Sequence, residues 1–336
     1  MIQSLSKKEL VAKTLHQTGF DRVLNMARSW RGVLILNYHR IGNGSQSPYD
    51  RNLWSATSEE FESQVRIVTR NFDVIGLEDL DHALQQPRGR HVAFTFDDGY
   101  LDNYTEAFPI LKSYNTKAAF FVTTGFLDVP QMPWWDEIAW MVRRSPLEEL
   151  PQNRWTLTPL PFDEPNREQV IRDCLLVYKR ISGCQTKQYL SELSELLQSG
   201  RAPERIAHEL WMTWPMLREM RQAGMTIGGH TVNHPILANL TPEQQDFEVG
   251  ECLRRISQEL REPATTFSYP VGGRSSFNSH TRKALERNGV RWAFTFIGGH
   301  VRQRKIDRLA LPRTAIEMDI HGPLFHALLA LPQWYA

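Results

Sequence analysis

The sequence has little of what marks a special environment. Its three cysteines, Cys174, Cys184 and Cys252, are too few and too irregular for a disulfide framework or a thiolate zinc site. Neither charge is in surplus: 39 basic against 38 acidic side chains leave a net charge of +1. That balance removes any global electrostatic argument for nucleic acid. Long apolar runs are missing as well. The longest, such as Gly32 to Leu36 and Ala118 to Val122, fall far short of the roughly 18 to 20 residues that cross a bilayer. Glu9, Lys13, His16 and Gln17 interrupt the stretch after Lys7 and Lys8, so no signal peptide is read. The expected location is therefore cytoplasmic, or peripheral at the inner face of a membrane. No repeat or low-complexity segment occurs, and 336 residues with 41% hydrophobic content exclude intrinsic disorder.

What is present alternates. Short apolar runs at Val33–Leu36, Phe72–Ile75, Val92–Phe96, Ala118–Val122, Thr226–Gly228, Thr266–Tyr269 and Ala293–Phe296 read as strands. Helical patterns at Ser58–Asn71, Asn103–Tyr114, Pro242–Leu260 and Ser279–Gly289 separate them. Alternation of this kind predicts an α/β fold, a mostly parallel sheet or barrel with helices outside and chemistry at the carboxyl ends of the strands. Residues 1–30 read as an N-terminal helical segment, with Leu10, Val11, Leu15, Phe20, Val23, Leu24 and Met26 at helical spacing. Such a face docks on the domain core or lies against lipid headgroups. The main domain is expected over 31–320, followed by a tail over 321–336. Clustered prolines and tryptophans from about 125 to 213 break the rhythm and predict a largely helical insertion.

Two motifs carry chemistry. Asp97 and Asp98, in Thr95-Phe96-Asp97-Asp98-Gly99, end a strand, and both reach one site only if the chain begins to turn there, which Gly99 permits. His230 and His234 share a face if their segment is helical, as two imidazoles gripping one divalent cation would. Two histidines and one aspartate suit zinc, with cobalt or nickel as alternatives, and leave open positions for water and substrate. The remaining aspartate is then free as a general base. Chemistry alone leaves open which aspartate is which.

Together with Phe267-Ser268-Tyr269-Pro270-Val271-Gly272, these motifs resemble the polysaccharide deacetylase family, also called carbohydrate esterase family 4 or the NodB-homology domain. The resemblance implies an irregular (β/α)7-type barrel and metal-dependent removal of N-acetyl groups from amino sugars. It assigns Asp98, His230 and His234 to the metal, Asp97 to the base, and the Val271 backbone N–H to the oxyanion. Ser268 stands where many members carry the arginine that orients the base, and Arg313 is the candidate replacement, because a guanidinium forks onto a carboxylate. No general acid is evident near the carboxyl terminus. In Asn37-Tyr38-His39-Arg40, His39 comes after the first strand, as in the permuted subgroup that includes the poly-β-1,6-N-acetylglucosamine deacetylases, and is the candidate acid. Tyr269 and Pro270 join the substrate side. Trp134, Trp135 and Trp140 either stack on sugar rings or pack the insertion.

The implied substrate is an N-acetylated glycan, or a lipid-linked or nucleotide-linked amino sugar, with no nucleic acid. Peripheral membrane contact through the N-terminal helix would suit a lipid-linked one. The alternatives are a deacylase of another amide, such as a formamido sugar or a non-sugar N-acyl substrate, and a non-catalytic carbohydrate-binding barrel.

Overall fold

The structure is a computed structural model describing residues 7–86, 88–162, 166–302 and 306–334. Its main sheet contains β1 (Gly32–Tyr38), β2 (Asp73–Val74), β3 (Arg90–Phe96), β4 (Ala118–Val122), β5 (Thr226–Gly229), β6 (Thr266–Ser268), β7 (Trp292–Phe294) and β8 (Thr314–Ala315). Every pairing within it is parallel, in the order β7-β6-β5-β4-β3-β1-β8, with β2 beside the start of β3. Register runs Leu34 to Val92, Phe96 to Phe120 and Val122 to Gly229.

All seven residues of β1 and all seven of β3 are buried, which is why these runs read as continuously apolar rather than alternating. Leu34, Leu36, Tyr38, Phe94, Phe96 and Phe120 belong to the large outer core. Val33, Ile35, Ala93, Ala119 and Phe121 belong to a second core that also takes in Phe294, Val301 and Leu311. Strand residues alternate sides, so the column that starts with Val33, Ile35 and Ala93 continues as Asn37, Thr95 and Asp97. The second face thus changes from apolar to polar at the carboxyl end of the sheet.

The sheet curls into an α/β barrel, and residues 311–316 bridge its two edges. Leu311 exchanges backbone hydrogen bonds with Ala293 and Thr295, and the Arg313 N–H donates to Ile297 O. Thr314 then pairs with Leu36, and the Ile316 N–H donates to Asn37 O. Helices cover the outside. The helix Ser58–Asn71 begins with a reciprocal capping box between Thr57 and Glu60, and Pro242–Leu260 with one between Thr241 and Gln244.

Between β4 and the helix Trp214–Gln222, the connection carries helices Thr124–Asp128, Trp134–Arg144, Asn166–Arg180, Thr186–Leu196 and Glu204–Ala207. It also holds an antiparallel pair, Glu149–Leu150 with Leu160–Pro161. Trp134 stacks on Tyr178, and Trp211 on Tyr100, which ties the segment to the end of β3. The N-terminal helices Lys7–Gln17 and Phe20–Met26 pack on the helix Gly322–Ala330, where Ala12 meets Leu324 and Ala327. Leu10, Val11, Phe20, Val23 and Met26 remain exposed. Among the described residues, no helix is long and apolar enough to cross a membrane.

Candidate active site

Asp97, Asp98, His230, His234 and Arg313 meet at the carboxyl end of the barrel. Asp98 has a positive φ of 76° and Gly99 one of 94°, so the strand's alternation ends at Asp98 and both carboxylates face the same space. The Gly99 N–H donates to Asp97 O, and the Thr123 N–H to Asp98 O, which holds the turn against β4. Left-handed backbone at a non-glycine residue costs of order 1–3 kcal/mol and persists only where the surroundings enforce it.

The second motif departs from the helical expectation. Residues 230–234 come after β5 as an irregular loop, with Thr231 at φ 70° and His234 at φ 53°. The loop is held by side chains instead of helical hydrogen bonds. Thr231 Oγ1 accepts from the His234 N–H, and Glu248, from the helix Pro242–Leu260, accepts from the Val232 N–H, the Asn233 N–H and Asn233 Nδ2. The two imidazoles still converge, with ring centroids 4.7 Å apart.

Asp98 Oδ1 lies 3.3 Å from His230 Nε2 and 3.4 Å from His234 Nε2. Tetrahedral bonds of about 2.0–2.1 Å place neighbouring donors about 3.3 Å apart, so these three atoms have the spacing of ligands around a small divalent ion. Their protonation agrees. His230 Nδ1 lies 2.7 Å from Ser268 O, which can only accept, so that nitrogen carries the hydrogen and Nε2 presents its lone pair. Burial and the neighbouring His230 push His234 down to about 3, keeping it neutral. Burial opposes charge on His230, but Asp97 and Asp98 outweigh it and raise that group. His234 Nδ1 is buried without a hydrogen-bond partner among the described residues.

Asp97 is bound differently. Its Oδ1 accepts from Arg313 Nη1 at 2.8 Å and its Oδ2 from Nη2 at 2.6 Å, a bidentate fork with both side chains buried. The guanidinium also donates to Asn37 Oδ1, Ser268 Oγ and Thr295 O. Ser268 Oγ in turn donates to Asp97 Oδ2. Arg313 reaches this position because residues 311–316 bridge the barrel's edges. Burial works against ionisation of Asp97, yet Arg313, with His230 and His39, holds its carboxyl well below the usual carboxylate range. Burial opposes ionisation of Asp98 too, and His230, His234 and His39 lower it.

A cavity of about 380 Å³ opens above these groups, lined by His39, Asp97, Asp98, Trp134, Trp135, His230, His234, Tyr269, Val271 and Phe296. Its size falls in the range of small-molecule sites. His39 is half-buried; its N–H donates to Ser55 Oγ, and its carbonyl accepts from Asn103 Nδ2. Val271 has a positive φ of 62°, a costly conformation for a β-branched residue. Tyr269 donates through its hydroxyl to Leu309 O and stacks on Phe277. Pro270 is buried beside it but does not line the cavity. Trp134 and Trp135 border the cavity while also bracing the histidine loop: Trp134 Nε1 donates to His234 O, and the Trp135 ring stands 4.3 Å from the His234 ring. Trp140 is buried in the insertion and is not among the lining residues.

Sequence reasoning missed several contributors. Asp50, Asn52, Leu175, Lys179 and Glu317 line the same cavity from loops and helices that no motif marks. Asn37 and Thr95, polar interruptions in otherwise apolar strands, were the visible hint of a polar column.

The chain matches the family model described as polysaccharide deacetylase over residues 85–150 and 186–306. YxkH of Bacillus subtilis, whose name assigns it provisionally to the polysaccharide deacetylases, is 24% identical over 299 residues, covering 88% of this chain and 75% of that one. The fold resembles that of the Streptococcus pyogenes deacetylase PplD, solved in complex with acetate (TM-score 0.59, 19% identity, 88% of this chain and 97% of that one). It also resembles that of IcaB from Ammonifex degensii (TM-score 0.56, 19% identity, 90% of this chain and 98% of that one).

Proposed function

Because the chain belongs to the polysaccharide deacetylase family, hydrolases of amide bonds in acetylated carbohydrate, we propose that it removes N-acetyl groups from an amino-sugar glycan or its precursor with one divalent metal ion. The observation that carries this reading is the Asp98–His230–His234 cluster at ligand spacing beside a second, separately held carboxylate, Asp97. The ion would be held by Asp98 Oδ1 and the Nε2 atoms of both histidines, with zinc the best match and cobalt or nickel alternatives. When bound, it supplies Lewis-acid polarisation of the acetyl carbonyl and acidifies an attacking water, which a base as weak as Asp97 requires.

The chain's own residues do the rest. Arg313 keeps Asp97 ionised and fixes the plane of its carboxylate, trading basicity for orientation. Asp97 accepts the water's proton as the hydroxide attacks the carbonyl carbon. The Val271 N–H, on its constrained turn, serves the developing oxyanion. His39, which lines the cavity, protonates the departing nitrogen, so that acetate and a free amine leave. Tyr269 and the walls formed by Trp134 and Trp135 shape the sugar subsite. The exposed apolar residues of the N-terminal helices suit contact with a membrane surface where a lipid-linked sugar would be met.

Acetate release from an N-acetylglucosamine oligomer, measured on metal-stripped and zinc-reloaded protein, tests this function. Asp98→Ala should lose the cavity ion and turnover together. Asp97→Asn should keep the ion and lose about 10² to 10⁴ in rate. Full activity in Asp97→Asn would eliminate the mechanism.

A further inference from the structure

Away from the cavity, a second cluster repeats its donor chemistry. His16 on the helix Lys7–Gln17, Asp21 in the first turn of Phe20–Met26 and His326 on Gly322–Ala330 each offer a ligand atom, all within 4.8 Å of one another. Asp21 Oδ2 is 2.8 Å from His16 Nδ1 and 4.0 Å from His326 Nδ1. These two distances straddle the about 3.3 Å expected between neighbouring ligands of a tetrahedral zinc-type ion. The imidazole rings are 4.8 Å apart, close to the 4.7 Å of the cavity pair.

Burial is graded across the three side chains. The Asp21 side chain is 1% exposed and forms the floor, while those of His16 and His326 keep 33% and 29% exposure and form a mouth that solvent can enter. The 2.8 Å contact is by itself a hydrogen bond, but 4.0 Å is beyond one. A divalent ion placed between them would engage both imidazoles with the one oxygen.

We propose that His16, Asp21 and His326 form a second divalent-metal site, of zinc-type chemistry, that fastens the N-terminal helices to the C-terminal helix. Three protein ligands would hold the ion and water would complete its coordination. Neighbouring contacts run along the same seam: Ala12 packs on Leu324 and Ala327, Ser29 Oγ donates to Ala330 O, and Trp30 Nε1 donates to Leu329 O at 2.7 Å. Through this ion the N-terminal helices are held to the barrel independently of the cavity.

Metal content after chelator treatment, zinc reloading and desalting tests the proposal. We expect two ions per chain in the wild type, one in Asp98→Ala, one in His326→Gln and none in the double variant. In the Asp98→Ala background, cobalt(II) should give visible absorption that disappears with His16→Ala. In the same background, zinc should slow amide exchange across residues 7–26 at least tenfold, and adding His326→Gln should abolish that protection. An Asp98→Ala protein that takes up no zinc or cobalt, with exchange over residues 7–26 insensitive to metal, overturns the second site. One ion per chain, kept in Asp98→Ala and lost in His326→Gln, supports the second site and counts against the cavity ion, so the two readings fail separately.

Discussion

Replacing Arg313 by methionine would leave Asp97 buried with, among the described residues, only Ser268 and Asn37 as side-chain hydrogen-bond partners. The guanidinium is wholly buried, and its fork onto Asp97 is the strongest contact that carboxylate makes. Removing one partner of a buried charge pair costs about 3–5 kcal/mol, and Arg313→Met should lose that much in urea denaturation at pH 7. The sign comes from the depressed Asp97 carboxyl. Its stabilisation is present above the unfolded carboxylate range and is lost as pH falls through the lower folded value. Without Arg313, burial acts with less opposition and Asp97 titrates at higher pH. The acid limb of kcat/KM for acetate release should therefore move upward. Arg313→Lys keeps the charge but not the fork, so it should hold the acid limb near its wild-type position while lowering kcat. The double variant Arg313→Met/Asp97→Asn buries no charge and should regain most of the lost stability without activity. An Arg313→Met protein as stable as the wild type, with its acid limb unmoved, would refute the reasoning.

Three further outcomes rest on contacts of the same kind. His39→Ala should lower kcat about 10² to 10⁴-fold with metal content unchanged, and unaltered turnover would move the general acid elsewhere. Glu248→Gln weakens the acceptor that holds the Val232 and Asn233 N–H groups. A zinc titration should show affinity at the cavity falling about 10- to 100-fold, as for other residues that orient metal ligands, and wild-type affinity would show that the loop holds itself. Asp136 accepts from the Tyr100 hydroxyl and the Asp50 N–H, and burial raises its carboxyl from 3.8 to about 7. Between these values the folded state binds more protons than the unfolded one, so this group makes stability fall as pH rises from about 4 to 7, by at most about 1.4 kcal/mol per unit. Denaturant titrations across that window should show a shallower fall in Asp136→Asn, and parallel slopes would contradict it.

The fold was legible where burial is written along the chain. β1 and β3 are buried on both faces, so their apolar runs stand out, and the helices Ser58–Asn71 and Pro242–Leu260 carry both amphipathic spacing and capping residues. β8 was not legible, because two residues paired to Leu36 and Asn37 leave no periodicity to detect. The family motifs singled out Asp97, Asp98, His230 and His234. The local geometry of the histidines was misjudged, because i and i+4 spacing suggests a helix, whereas Thr231 and Glu248 shape an irregular loop that achieves the same convergence. Arg313 was reached from the arginine that the family pattern puts in Ser268's place and from the fit of a guanidinium to a carboxylate, and its side-chain position depends on barrel closure, a tertiary property. Asp50, Lys179 and Glu317 carry no local signal at all, nor does the approach of His326 to His16 and Asp21 across most of the chain.

Anomalous diffraction at the zinc edge from crystals of zinc-loaded protein tests the central claim most directly. A peak about 2.0–2.2 Å from Asp98 Oδ1 and from the Nε2 atoms of His230 and His234, with Asp97 outside its coordination shell, is the predicted result. Fully loaded crystals with no peak between those three side chains, or with Asp97 as a ligand in place of Asp98, would contradict it.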